Sequence, residues 1–304
     1  MSSNKEKYKE LCKTKDIPLF SQYFWMDAVC GPDDWDVIII EENDNILGTM
    51  AYYLNSIDNK FEIRKAPLTQ NNGILFYYPE GLKYDRMKSF EYKVADAIID
   101  KLEKLNIKRY RQYFHHSFTN WLPFYWRGYT QSTRYTYVIK DTSNMDVLYN
   151  RFNGNVRKHI KKSKEIVTVK EGMSSRNFYE LNEQTYLRQG IEIPYSFELF
   201  NKLYENLLDK KCLEIFYASD ESDNIHSAAL FSYDATSVYY LMSGSVEEFR
   251  ESQSLTLLIY EGIKLANRLG KSFDFEGSMK KNIERFFRQF GAEQYQYFDI
   301  QKEF

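Results

Sequence analysis

The run FDFEGSMKKNIERFFRQFGAEQ, residues 273–294, concentrates groups able to move protons and hold charge. Its first part reads with the preceding Ser272 as a strand, SFDFEG (272–277), ending at Gly277, and IERFFRQF (283–290) reads as a helix. Side chains alternate along a strand, so Asp274 and Glu276 are expected on one face. A carboxylate at a strand end can take the proton of an ammonium nucleophile. Glu276 is therefore the candidate base. Capping the next helix or pairing with a lysine is the competing use of either acid. His115 and His116 follow another strand and offer a second candidate base, against a purely structural role.

Positive charge gathers at SNMDVLYNRFNGNVRKHIKKSKE, residues 143–165. Leu148, Phe152, Val156 and Ile160 form an i, i+4 apolar stripe. Ser143 and Asp146 are expected to cap the helix, and Gly154 to weaken its middle. Arg157, Lys158, Lys161 and Lys162 lie off the stripe. Such a face holds a diphosphate or is simply solvated. Phe24, Trp25, Trp121, Phe124, Tyr125 and Trp126 offer rings for a sugar or a base; packing in a core is the plainer use, and Trp25 is retained as a substrate-binding candidate.

Two similar series of elements position these residues. The first half reads as a helix or turn at 21–29, strands at 35–42, 46–54 and 73–78, an amphipathic helix at 89–105, and strands at 107–114 and 133–139. The second half reads as a helix at 196–209, strands at 213–219, 226–233 and 237–245, a helix at 254–269, a strand at 272–277, a helix at 283–290 and a strand at 293–300. DNIL (44–47) parallels DNIH (223–226), and FYWRGY (124–129) parallels FRQFGA (287–292). Matching order and spacing indicate a duplication. The expected boundaries are a first half at 1–142, a basic connecting helix at 143–165 and a second half at 166–304. The fold class is α/β with mixed sheets, and each half resembles the GNAT acyltransferase arrangement. A cleft between such halves is the expected ligand site.

The run FDFEGS…IERFFRQFG also resembles the C-terminal signature of the Fem-type acyltransferases, a family of peptidoglycan interpeptide-bridge aminoacyltransferases and related double-GNAT proteins. PLFSQYFWMDAV (18–29), FTNWLPFYWRGY (118–129), NVRKHIKKSKE (155–165) and QGIEIPYS (189–196) are similar to that family too. The resemblance implies acyl transfer to an amine. It implies a Phe–Lys pair near the reacting centre, and the matching positions here are Phe287 and Arg288. An arginine there is a planar fork able to hold an oxyanion or a phosphate, and it cannot shuttle a proton. Bridge-forming members carry a long helical arm associated with transfer-RNA-linked substrates, and no heptad run of that length occurs here. In GNAT enzymes a glycine-rich turn at a helix N-terminus cradles the pyrophosphate of coenzyme A. The matching loop, GSVEEFRESQS (244–254), keeps Arg250 but has Gln253 and Leu255 in place of glycines.

Composition sets outer bounds. A net charge of −2 argues against a general nucleic-acid or membrane-surface binder. Cys12, Cys30 and Cys212 lack a CxxC spacing, so neither a disulfide framework nor a metal site is expected. The polar N-terminus carries no apolar signal segment, and no run approaches the length of a membrane span, which predicts a cytoplasmic protein. The leading expectation is an N-acyltransferase with an acyl-CoA-type co-substrate, no tightly bound cofactor, and an amine acceptor from an envelope or polysaccharide precursor. The alternatives are an aminoacyl-transfer-RNA donor, or a non-catalytic module that binds a nucleotide-sugar or an anionic polymer.

Overall fold

The computed structural model describes residues 3–57 and 60–304. The chain forms two compact units, Met1–Arg134 with Gln296–Phe304, and Tyr135–Tyr295. The elements run in chain order as α1 (Asn4–Thr14), α2 (Tyr23–Cys30), β1 (Trp35–Glu42), β2 (Asn45–Ile57), β3 (Lys60–Arg64), β4 (Gly73–Phe76), α3 (Tyr84–Glu103), β5 (Arg109–Tyr113), α4 (Leu122–Trp126) and β6 (Thr130–Ile139). There follow α5 (Met145–Arg151), α6 (Gly154–Ile166), β7 (Thr168–Glu171), α7 (Ser175–Leu187), α8 (Phe197–Asp209), β8 (Leu213–Ser219), β9 (Ile225–Tyr233) and β10 (Ser237–Ser245). The last four are α9 (Ser254–Leu269), β11 (Ser272–Asp274), α10 (Lys281–Arg288) and β12 (Glu293–Glu303).

In the first unit the strands lie in the order β1-β2-β3-β5-β12, with β4 also on β2. The β1–β2 hairpin turns at Asn43 and Asp44, whose φ values of 49° and 63° are those of a two-residue hairpin loop. Helix α3 buries Val94, Ala95, Ile98, Ile99 and Leu102 completely. That 3.6-residue stripe packs with Met50, Ile63, Ile74, Tyr110 and Phe114 into one core. The helix starts at Tyr84 rather than Ser89, because it winds on through polar residues before the stripe begins. Helix α1, absent from the sequence expectation, is fixed by a capping box between Ser3 and Glu6 and by a buried Tyr8 whose hydroxyl donates to Ser21 O at 2.7 Å.

The second unit orders its strands β6-β11-β10-β9-β8-β7. All neighbours there are antiparallel except β10 and β11, which run parallel. Helix α9 lies close on the sheet at Gly262, where a Cβ would sit 2.3 Å from Phe231 Cε1. The basic segment is two helices rather than one. Phe152 and Asn153 interrupt it, and Asn153 caps α6 by accepting from Asn155 N at 2.9 Å. Gly154 thus begins a helix instead of weakening one. The cap of α5 is Asn144, not Ser143.

Both units repeat one plan of antiparallel strands, crossover helix, strand, short helix and closing strand. The architecture is a tandem pair of GNAT-like halves.

Candidate functional site

The second unit contains a parting between two strands. Strand β10 pairs with β11 only from Ser237–Ser272 to Tyr239–Asp274. Beyond Asp274 the chain turns to the other neighbour, and Phe275 N donates to Tyr137 O on β6 at 2.9 Å. Strand β10 continues alone on that side to Ser245. On its opposite edge β10 follows β9, and Leu241 is the extra residue of a bulge between the Tyr240–Phe231 and Met242–Leu230 pairs. Helix α7 packs on β10 beyond the bulge. Asn182 Nδ2 donates to Ser243 O at 2.6 Å, and Ser245 N donates to Thr185 Oγ1 at 3.3 Å. Gly244 permits this approach, since a Cβ there would lie 2.5 Å from Leu181 O.

Asp274 holds the parting in place. It is buried, accepts from Thr136 Oγ1 on β6 at 2.5 Å, and accepts from the Glu276 amide at 2.7 Å. Burial pushes its carboxyl up to about 6, against the lowering effect of those two donors. Glu276 and Gly277 both adopt left-handed backbone, at φ 59° and 67°. Such a conformation strains a glutamate. It is mandatory for glycine at 277, because a Cβ there would lie 2.0 Å from Tyr135 O.

The expectation that Asp274 and Glu276 share a strand face is thus corrected. The strand stops at Asp274, and the turn carries Glu276 off the alternation. Asp274 is sealed in the interior while Glu276 stays half-buried at the mouth of the parting.

Other candidates fall in different surroundings. Phe287 is a core residue, packed on Phe275 at 5.0 Å and Tyr240 at 6.0 Å between ring centroids, which gives it a packing role and removes it from contact with a ligand. Arg288 is exposed and paired with Glu284 at 3.0 Å, one helical turn away. Glu284 also accepts from Tyr137 OH at 2.7 Å, and Gln294 Nε2 donates to that same phenol at 2.7 Å. Trp25 lies in the first unit, completely buried, with Nε1 donating to Thr69 Oγ1 at 2.9 Å. Its substrate-binding assignment is therefore withdrawn, because no ligand reaches a side chain with no exposed surface. Phe124 is likewise buried, whereas Tyr125 and Trp126 stand on the surface.

The anion candidates converge. Helix α6 packs along α9, and Lys162 Nζ reaches Glu251 at 3.7 Å in the 3-10 turn Glu247–Ser252 that leads into α9. Lys158 and Lys161 are exposed on the same helix. Arg157 has a local task, donating to Phe152 O and to Asn150 O at the C-terminal end of α5. Arg250 is exposed and lies 3.4 Å from Glu247. Gln253 takes φ 57°, so it supplies the left-handed turn for which a glycine is the usual residue. Ser254 opens α9, its hydroxyl 2.7 Å from that of Ser227 on β9. A helix N-terminus with cations alongside attracts phosphate, although Glu247, Glu248 and Glu251 temper the charge.

Asn182 and Tyr195, which sequence reasoning did not single out, tie α7 and the loop after it to β10. Tyr195 OH donates to Asn182 Oδ1 and lies 3.4 Å from Met242 Sδ. Tyr195 stands within the QGIEIPYS segment, but nothing in its residue type announced a link to β10.

Residues 150–297 match the model of the acetyltransferase (GNAT) domain family. The fold of the whole chain is similar to the crystal structure of FemX, at 13% identity, covering 98% of this chain and 96% of that one, with a TM-score of 0.73. It is also similar to the C-terminal domain of a putative lysylphosphatidylglycerol synthetase from Agrobacterium fabrum, at 9% identity, 99% and 92% coverage and a TM-score of 0.58. A tandem GNAT protein from the clavulanic acid biosynthesis pathway aligns at 9% identity over 99% of this chain and 94% of that one, with a TM-score of 0.52. No curated protein sequence matches the chain. The molecule thus has a fold similar to those of FemX and of a tandem GNAT protein, and residues 150–297, most of its second unit, match the GNAT acetyltransferase domain model.

Proposed function

We propose that the second unit is an N-acyltransferase that draws an acyl-CoA-type donor into the parting between β10 and β11 and transfers its acyl group to an amine. The observation that carries this reading is the parting itself. Two parallel strands separate beside a bulge, and a helix N-terminus with flanking lysines follows on the same chain. The slot suits an extended thioester arm, and the α9 end suits its phosphates.

The reaction is a direct displacement. The amine nitrogen forms a bond to the thioester carbonyl carbon, the C–S bond breaks, and the thiolate leaves. Glu276, or a water it orients, takes the proton from the attacking nitrogen, and the departing sulfur gains a proton in turn. Backbone amides at the Leu241 bulge are the nearest means of holding the oxyanion. Proximity of the two reactants supplies much of the rate.

Similarity to FemX and to a lysylphosphatidylglycerol synthetase supports an acceptor from envelope or polysaccharide assembly. An aminoacyl-transfer-RNA donor is the second reading, favoured by the exposed Lys158, Lys161 and Lys162 beside a turn lacking the usual glycines. Titration of the full chain with acetyl-CoA, coenzyme A and a charged transfer RNA, followed by an amine panel, separates the two. Stabilisation by acetyl-CoA with release of free thiol is the expected result. Stabilisation by charged transfer RNA alone replaces the donor, and turnover with neither removes the enzyme reading.

A further inference from the structure

The turn after β11 keeps Glu276 in a backbone conformation that a residue with a Cβ does not favour, with φ at 59°. The bond that fixes it comes from a side chain. The Glu276 amide donates to Asp274 Oδ1 at 2.7 Å, two residues back, which is the bond of an Asx turn.

Asp274 has little freedom to release that bond. It is buried and forms the last rung of β11, opposite Tyr239 on β10 and Val138 on β6. The same Oδ1 accepts from Thr136 Oγ1 at 2.5 Å, and Thr136 is itself buried on β6. Phe275 N, between the two acids, donates to Tyr137 O at 2.9 Å. One carboxylate oxygen thus joins β6, the end of β11 and the Glu276 amide.

A purely stabilising role does not account for this carboxylate. Burial pushes it up to about 6, and Asp234 adds to that, against the lowering by Thr136 and Glu276. At neutral pH the ionised form is therefore held at a cost to the folded state. Such costs persist where a geometry serves function. The geometry served here is the direction of Glu276, which the turn carries out of the strand alternation. Without the bond, the backbone at Glu276 relaxes toward negative φ and the side chain swings with it.

We propose that Asp274 is a positioning residue: by its bond to the Glu276 amide, and with Thr136 as its anchor, it holds the Glu276 carboxylate at the mouth of the parting. The proposal rests on the N-acyltransferase reading with Glu276 as base.

A double-mutant cycle on the full chain tests it, with Asp274→Asn, Asp274→Leu and Thr136→Val made alone and with Glu276→Gln. Asparagine keeps the acceptor oxygen, so Asp274→Asn is expected to retain most of the turnover. Leucine fills a similar volume without an acceptor, and kcat is expected to fall about 10–100-fold, as for a misplaced catalytic group, with acetyl-CoA affinity unchanged. In the Glu276→Gln background the same substitution is expected to cost nothing further, because a direction has no value once the base is gone. Thr136→Val, which removes only the anchoring hydroxyl, carries the same cycle if Asp274→Leu fails to fold. Hydrogen exchange at the Glu276 amide reads the bond without any reaction, and is expected to be slow in the parent and in Asp274→Asn and fast in Asp274→Leu or Thr136→Val.

An undiminished loss in the Glu276→Gln background, a loss in Asp274→Asn as large as in Asp274→Leu, or an unprotected Glu276 amide in the parent overturns the positioning role and leaves the acyltransferase reading standing. Full turnover in Glu276→Gln alone, or none in the parent with any amine, removes the reading itself and the positioning role with it.

Discussion

The first unit closes by main-chain bonds the place that the second unit leaves open. In both, a strand antiparallel to its hairpin partner runs parallel to the strand after the crossover helix. In the second unit the departure from regular pairing is one residue, Leu241. In the first unit residues 65–72 loop out between the Arg64–Tyr53 and Gly73–Ala51 pairs, separating β3 from β4. That excursion folds back on the end of β5. Asn72 N donates to Tyr113 O at 2.7 Å, His115 N donates to Asn72 O at 2.9 Å, and Gln112 Nε2 donates to Asn72 Oδ1 at 2.7 Å. The strands that part around Glu276 are laced together around His115. Burial, then the neighbouring His116, pushes the His115 imidazole down to about 3, which keeps it neutral, and its Nδ1 lies 2.7 Å from Ser117 Oγ. One copy of the plan keeps the opening, and the other is built as a support.

The largest expected effect sets Glu276 against His115. Glu276→Gln should lower turnover by about 10²–10⁴-fold, the range for losing a general base, whereas His115→Asn should leave turnover unchanged. Steady-state kinetics on both variants decides; equal losses would erase the distinction between the copies.

Next in size is Gly277→Ala. With φ at 67° and Tyr135 O only 2.0 Å from the added methyl, the turn cannot stay as it is. A loss of about 3 kcal/mol in urea unfolding is expected.

Asp274→Asn sharpens the comparison through pH. The buried carboxyl is raised from 3.8 to about 6, so the folded state holds its proton more tightly than the unfolded chain does. Its contribution to stability is intact below pH 4 and is lost as pH rises through 6. The asparagine variant escapes that loss. Relative to the parent it should gain about 3 kcal/mol between pH 4 and pH 7, and a pH-independent difference in chemical unfolding would contradict the assignment.

Asn72→Ala should cost about 1–3 kcal/mol by stranding the Gln112 donor and leave acetyl-CoA binding untouched. Smallest is Lys158→Ala/Lys161→Ala, exposed charges worth about 1 kcal/mol or less each. It should weaken acetyl-CoA at low salt and converge on the parent at high salt.

Periodicity made the repeat legible, because the helical stripes of α3 and α9 and the alternating strands depend on residue type alone. The end of β11 was hidden. Phe273, Asp274, Phe275 and Glu276 alternate as a strand would, and only tertiary bonds to Thr136 and Tyr137 stop it. The break between α5 and α6 was misread for a similar reason. Gly154 is a weak helix former anywhere, and only the Asn153 cap makes it a beginning. Composition could not sort the aromatic rings either, so Trp25 and Trp126 looked alike while one is sealed and the other lies on the surface. Residues 65–72 gave no hint of their lacing, since two of the bonds use backbone groups of Asn72 common to every residue and the third joins its side chain to Gln112, forty residues away.

The first unit recruits its closing strand from residues 296–304, beyond the whole of the second. On a ribosome, β5 therefore emerges long before β12, and the slots that Phe298 and Ile300 fill stay vacant until residues 135–295 have been made. Loop closure over that span costs little more than over a short one, but it imposes an order. The later-made unit can complete its own folding while the earlier one waits with an unpaired β5 edge, the kind of surface that invites association between nascent chains.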